Sequence, residues 1–114
     1  MKRCLIIPSI FTENVIQIIK SIPKGRVLTY GRIAKLAGNP RAARQVSWTL
    51  HSSSKKYNLP WHRVISSNGT LAMVSTEDKQ YHKKLLELEG VKFTGEFKID
   101  LKKYLWDIES FNNI

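Results

Sequence analysis

The side chains able to do chemistry in this sequence are few, and most are badly placed for it. His51, His62 and His82 are the obvious metal ligands, yet no acidic residue stands at the spacing of a motif such as H-E-x-x-H. No metal site is expected. Ser52-Ser53-Ser54 beside His51 lacks both a G-x-S-x-G setting and a nearby carboxylate to orient a base, so it reads as a helix end. There is no G-x-x-x-x-G-K-[ST] loop to cradle a nucleotide's phosphates, and no cofactor is expected. Cys4, the single cysteine, has no internal disulfide partner and sits in an apolar run that disfavours a reactive thiolate. What remains is Leu59-Pro60-Trp61-His62-Arg63-Val64-Ile65, with a large aromatic between a proline and a His-Arg pair. Indole carries no nucleophile; it stacks, packs and donates one hydrogen bond, so Trp61 suits the wall of a pocket better than a reaction.

Charge points to the kind of partner. The net charge is +10 and the pI near 10.0, which favours a polyanion. From Asn14 to Thr76 there are ten basic residues and no Asp or Glu, whereas residues 77–114 carry seven basic and eight acidic ones. The excess therefore belongs to the middle of the chain, where Tyr30, Trp48, Tyr57 and Trp61 are interleaved with it. Basic side chains with aromatics among them mark a nucleic-acid face, a solubilising surface being the plainer alternative. A membrane is not an expected partner: Leu5 to Pro8 and Val15 to Ile19 fall well short of the roughly 20 apolar residues needed to cross a bilayer. The apolar run after Met1-Lys2-Arg3 stops at Pro8 with no small-residue cleavage site, so an intracellular protein is expected, in the cytoplasm or nucleoid of a prokaryote or the nucleus of a eukaryote.

The elements that would position these residues are mainly helical. A chain of 114 residues is long enough for one core, and a single domain over 1–114 is expected. Ile10, Val15, Ile16, Ile18, Ile19 and Ile22 recur at three- and four-residue spacings, predicting a core helix over Ser9 to Ile22 with Ser9 or Thr12 as cap. Thr29 is a natural N-cap for a short helix over Tyr30 to Ala37, which Gly38 stops. Asn39-Pro40 predicts a third helix from about Pro40 to His51, making a helix-turn-helix with Ala43, Val46 and Leu50 inward and Arg41, Arg44 and Gln45 outward. Arg63 to Ile65 and Thr70 to Met73 read as a β-hairpin wing around Ser66-Ser67-Asn68-Gly69. Tyr81, Leu85 and Leu88 predict a helix over Glu77 to Glu89 ended by Gly90, and the tail with Ile99, Leu101, Tyr104, Leu105 and Trp106 should dock on the body.

Three strings carry a resemblance. Ile22-Pro23-Lys24-Gly25-Arg26-Val27-Leu28-Thr29-Tyr30-Gly31-Arg32-Ile33-Ala34, then Ala37-Gly38-Asn39-Pro40-Arg41-Ala42-Ala43-Arg44-Gln45-Val46, then Pro60-Trp61-His62-Arg63-Val64 resemble, in order and spacing, the DNA-binding domain of O6-alkylguanine-DNA alkyltransferases. Leu85 to Gly90 fits that family's next helix, and the match runs over roughly residues 11–93, with 94–114 as a docked tail. The transferases have Pro-Cys-His-Arg-Val, the cysteine taking the alkyl group; Trp61 at that place is the mark of the alkyltransferase-like proteins. The tail Leu101-Lys102-Lys103-Tyr104-Leu105-Trp106 is similar to endings in that group.

The resemblance implies a winged helix-turn-helix domain that binds double-stranded DNA containing O6-alkylguanine, flips the damaged nucleotide and marks it for nucleotide excision repair proteins. The chain would act as a monomer and, lacking the acceptor thiol, would not be an enzyme. Position by position, Tyr30 would press on the 3′ phosphate of the target nucleotide, and Arg44 would enter through the minor groove to fill the space it leaves. Ala42 and Ala43 would permit close approach. Trp61, Leu50, Val64, Val74 and Ser75 would line the lesion pocket, with His62, Arg63 and Glu89 as support. Ser47, Trp48 and Ser53 depart from the family's usual glycine, small residue and asparagine, and Leu71 to Ser75 lacks the transferases' Gly-and-Tyr loop. The rival readings are a sequence-specific winged-helix regulator and a repair enzyme using another nucleophile, for which the sequence offers no good residue.

Overall fold

The computed structural model describes residues 10–71 and 75–108. Cys4, Ser9, Val74 and the Ala72-Met73 limb of the expected hairpin lie outside the described residues. Helix α1 (Ile10–Ser21) buries Val15, Ile16, Ile18 and Ile19, the stripe its spacing predicts. After the turn at Gly25 come strand β1 (Leu28–Thr29) and helix α2 (Tyr30–Leu36), capped by Thr29, whose hydroxyl accepts the Arg32 N–H at 3.1 Å. Gly38, at φ +109°, lets the chain turn back after α2.

Helix α3 (Ala43–Tyr57) packs on α1 and α2 and completes the helix-turn-helix, but it starts later and ends later than its spacing predicts. The Asn39 side chain accepts the Arg41 N–H at 3.1 Å and the Asn39 carbonyl accepts from Ala42 at 3.0 Å, so Asn39-Pro40 builds a turn before the helix rather than its first turn. At the other end the serine run stays helical, Ser52 Oγ turning back on the Trp48 carbonyl at 3.0 Å instead of competing for a backbone N–H, and α3 stops only where Asn58 takes a left-handed φ of 52°. Of the face expected inward, Val46 and Leu50 are buried; Ala42 takes the place assigned to Ala43, which lies part-exposed.

A 3₁₀ turn (Trp61–Arg63) leads into strand β2 (Val64–Ile65), which pairs in parallel with β1, Leu28 opposite Val64 and Thr29 opposite Ile65. Side chains alternate faces along a strand, and here both faces are covered. Leu28 and Val64 belong to a core built from α1, α2 and α3, while Val27 and Ile65 belong to a second core with Leu71, Leu86, Val91, Ile99 and Tyr104. The small sheet is thus a partition between two cores. The expected wing forms only in part among the described residues. The bend forms, with Ser66 N–H donating to the Thr70 carbonyl at 3.1 Å, but β2 takes the apolar Leu28 as neighbour, and Thr70 and Leu71 turn to Lys98 and Phe97.

Helix α4 (Thr76–Leu88) is rotated by one residue from the predicted stripe: His82 and Leu86 are buried, whereas Tyr81 and Leu88 are 58% and 71% exposed. The tail docks. Helix α5 (Leu101–Tyr104) is followed by a short parallel bridge in which Val27 donates to the Tyr104 carbonyl at 2.9 Å and accepts from Trp106 at 2.8 Å. Arg26 and Arg32 donate to the Lys103 and Ile108 carbonyls at 2.7 and 2.8 Å, fixing the basic middle of the chain to its end. No helix among the described residues is long and apolar enough to cross a membrane.

Candidate nucleic-acid interface

A cavity of about 560 Å³ opens between α3, the 3₁₀ turn and α4, a size within the range of small-ligand sites, roughly 300–1,000 Å³. Helix α3 supplies one wall because Ala43, Ser47, Leu50 and Ser54 recur at three- and four-residue spacing, with Arg44, His51 and Lys55 one position on. The start of α2 adds Tyr30, and the opposite side consists of Trp61, Val64, Ser66 and His82. Five residues named from separate stretches, Tyr30, Arg44, Leu50, Trp61 and Val64, therefore converge on one space, joined by Ala43. The cavity is apolar at depth and cationic at its edge, where Arg44 and Lys55 are exposed. Burial pushes the Tyr30 phenol above its ordinary 10.0, so it stays neutral and able to donate to an anion at physiological pH.

Trp61 is half-buried in an aromatic group. Its ring lies 5.2 Å from that of His82 at 58°, 6.1 Å from Tyr81 at 36°, and 6.1 Å from His62 edge-on at 87°. His82 Nε2 donates to the His62 carbonyl at 2.6 Å, which puts the ring proton on Nε2 and leaves Nδ1 a bare acceptor. Burial lowers the His82 pKa below 6.5, against the raising effect of that carbonyl bond, so the ring is neutral. His82 Nδ1 and Ser54 Oγ, on opposite walls, are the buried side-chain polar atoms without a partner among the described residues. Such atoms are what a polar ligand entering the cavity could satisfy.

Behind Trp61 the turn is held by a carboxylate. Glu89 Oε2 accepts from His62 Nε2 and Arg63 Nη2, both at 2.7 Å, and Oε1 accepts from Arg63 Nε and the Gly25 N–H, both at 3.0 Å. Arg63 Nη1 reaches the Ile22 carbonyl at 2.9 Å, tying in the end of α1. Burial alone would raise the Glu89 pKa; the bonds from Arg63, His62 and Gly25 outweigh it and bring it from 4.5 to about 2. His62 and Arg63 thus point to Glu89 while Trp61 faces the cavity, one short turn dividing bracing from lining.

Two residues expected at the site are placed elsewhere. Ala42 is buried at the N-cap of α3, where its methyl packs inward, so close approach at the surface falls to Ala43. Ser75 does not line the cavity; it caps α4, its hydroxyl accepting the Asp78 N–H at 3.1 Å. His82, Ser54 and Ser66 on the wall were not foreseen from residue patterns. A buried histidine has no pattern of its own when its acceptor, here the His62 carbonyl, is a backbone atom twenty residues away. Among the described residues no cluster of His, Cys, Asp and Glu is arranged to hold a metal ion.

Comparison with known proteins places this geometry. Residues 10–91 match the family model described as the 6-O-methylguanine DNA methyltransferase DNA-binding domain. The chain is 45% identical over 97 residues to a DNA base-flipping protein of Escherichia coli (strain K12), covering 85% of this chain and 74% of that one. It is 39% identical over 101 residues to alkyltransferase-like protein 1 of Schizosaccharomyces pombe, covering 84% and 94%. The crystal structure of S. pombe Atl1 in complex with damaged DNA containing O6-carboxymethylguanine is similar at a TM-score of 0.77 and 38% identity, over 86% of this chain and 95% of that chain.

Proposed function

Because this chain belongs to the family of the 6-O-methylguanine DNA methyltransferase DNA-binding domain, we propose that it binds duplex DNA containing O6-alkylguanine, turns the damaged nucleotide into the cavity beside Trp61, and leaves the alkyl group in place. The observation that carries this reading is the single cavity that unites Tyr30, Arg44 and Trp61, apolar within and basic at its mouth. A flipped base loses its stacking, which costs a few kcal/mol, and a damaged pair opens more easily than an intact one. Arg44 replaces the lost stacking with a planar, donor-rich side chain in the gap, a task for which lysine has the wrong shape. Tyr30, a neutral phenol at the start of α2, supports the rotated backbone by donating to a phosphate.

Transfer of the alkyl group needs a thiolate next to the O6-bound carbon, and Trp61 stands where the transferases carry that cysteine. Its ring lines the cavity and reacts with nothing. His62 is engaged by Glu89 and serves the turn. Minor-groove edges distinguish little more than A·T from G·C, so selectivity rests on how readily the pair opens and how its base fits. The protein works as a monomer where the genome is, and the stable complex presents the lesion to nucleotide excision repair proteins.

Competition binding with matched duplexes carrying guanine or O6-methylguanine, at several salt concentrations, tests the reading. Tighter binding to O6-methylguanine at every salt concentration is expected, with a labelled alkyl group still on the DNA afterwards. A preference for one operator sequence regardless of the lesion would replace this reading with that of a regulator, and stoichiometric transfer of label to the protein would make it an enzyme.

A further inference from the structure

Trp48 stands in water at 70% exposure, although tryptophan is the largest apolar side chain available to bury. Single exposed apolar residues are ordinary; its company is what distinguishes this one. On α3 it follows Arg44 by one turn and precedes Lys55 by two, lying about 40° around the helix from the first and about 20° from the second. Both neighbours line the cavity, so Trp48 sits just outside its rim. Its ring has no aromatic or cationic partner among the described residues, and the one side chain that bonds to the residue, Ser52, reaches its backbone carbonyl at 3.0 Å. No Asp or Glu occurs from Asn14 to Thr76, so the whole of α3 is free of negative charge. A flat apolar ring among cations matches a surface that is anionic at its edge and apolar behind it, which describes the wall of a DNA groove.

We infer that Trp48 is a second DNA-contacting side chain of α3, packing its ring against the deoxyribose faces of the groove wall beside the point where Arg44 enters. This rests on the DNA-binding reading above and adds to it a contact that does not depend on the lesion. Trp48 supplies grip, and Arg44 with the cavity supplies discrimination.

The test compares wild type, Trp48→Ala and Trp48→Phe on guanine and O6-methylguanine duplexes across a salt series. Trp48→Ala is expected to weaken both duplexes by the same factor, roughly tenfold, the scale of one aromatic contact to nucleic acid. Trp48→Phe should recover most of the loss. The salt dependence should keep its slope, because an uncharged side chain releases no counterions. Unchanged affinity for both duplexes would overturn the proposal and leave the ring to a protein partner. A loss accompanied by a shallower salt slope would also overturn it, since Trp48 would then only be propping phosphate contacts. A wild-type protein that binds both duplexes equally removes the lesion reading while the Trp48 comparison on the guanine duplex still stands; one that binds neither removes both.

Discussion

Replacing Glu89 with glutamine keeps the shape of the side chain and removes the charge that holds the Trp61–Arg63 turn. The carboxylate accepts bonds from His62, Arg63 and Gly25 at 2.7 to 3.0 Å, and although burial opposes ionisation these bonds bring its pKa from 4.5 to about 2. With the side chain only 9% exposed, solvent screens little of this, and at about 1.4 kcal/mol per unit the shift corresponds to about 3 kcal/mol. Because the folded pKa lies below the unfolded one, protons favour the unfolded chain. The contribution is therefore complete above about pH 4.5 and is lost as pH falls through about 2. Glu89→Gln should be about 3 kcal/mol less stable than wild type at pH 7, a melting point lower by roughly 10–15 °C for a chain of this size. By pH 3 less than about half of the difference should remain. Urea unfolding of both proteins, stepped from pH 7 to pH 3, measures this directly. A deficit equal at pH 7 and pH 3 would show that the charge is not what holds the turn, and the reasoning would fail.

Two further substitutions test the site and the turn near it. Arg44→Ala should weaken binding to an O6-methylguanine duplex by roughly 10- to 100-fold while Lys55→Ala costs only a few-fold and lowers the salt slope by about one; equal losses in a gel-shift comparison would reduce Arg44 to one phosphate contact among several. Gly69→Ala should destabilise the fold by about 1–3 kcal/mol in urea unfolding, because Gly69 has φ +84° and an added Cβ would lie 2.8 Å from the Ile99 carbonyl oxygen; a change below a few tenths would mean that the bend relaxes freely.

What could be read from the sequence was whatever is encoded locally. The stripe of α1, the Thr29 cap, the stops at Gly38 and Gly90, and the two helices of the helix-turn-helix all depend on neighbours within a turn or two. The β1–β2 pair depends on residues 28 and 64, and two-residue strands carry no periodicity to find. The same holds for the tail, whose ladder to Val27 is made by backbone atoms. On α4 the apolar spacing of Tyr81, Leu85 and Leu88 was real but misleading, since the second core and the His62 carbonyl draw His82 and Leu86 inward instead. At the site, the motif strings held Tyr30, Arg44, Trp61 and Val64 and the family resemblance added Leu50, and one cavity brings the five together. The polar atoms of Ser54 and His82 escaped notice because their significance is an unmet hydrogen bond, which only three dimensions reveal.

The 3₁₀ turn has a consequence for what position 61 can carry. The side-chain bonds that hold the turn run from His62 and Arg63 to Glu89 and Ile22, from Gly25 to Glu89, and from His82 to the His62 carbonyl; the side chain at position 61 contributes none of them. The hydrogen bonding of the turn is therefore independent of the residue at position 61, which meets its surroundings by packing alone. A substitution there can change what the wall presents to the cavity without costing the turn a single hydrogen bond.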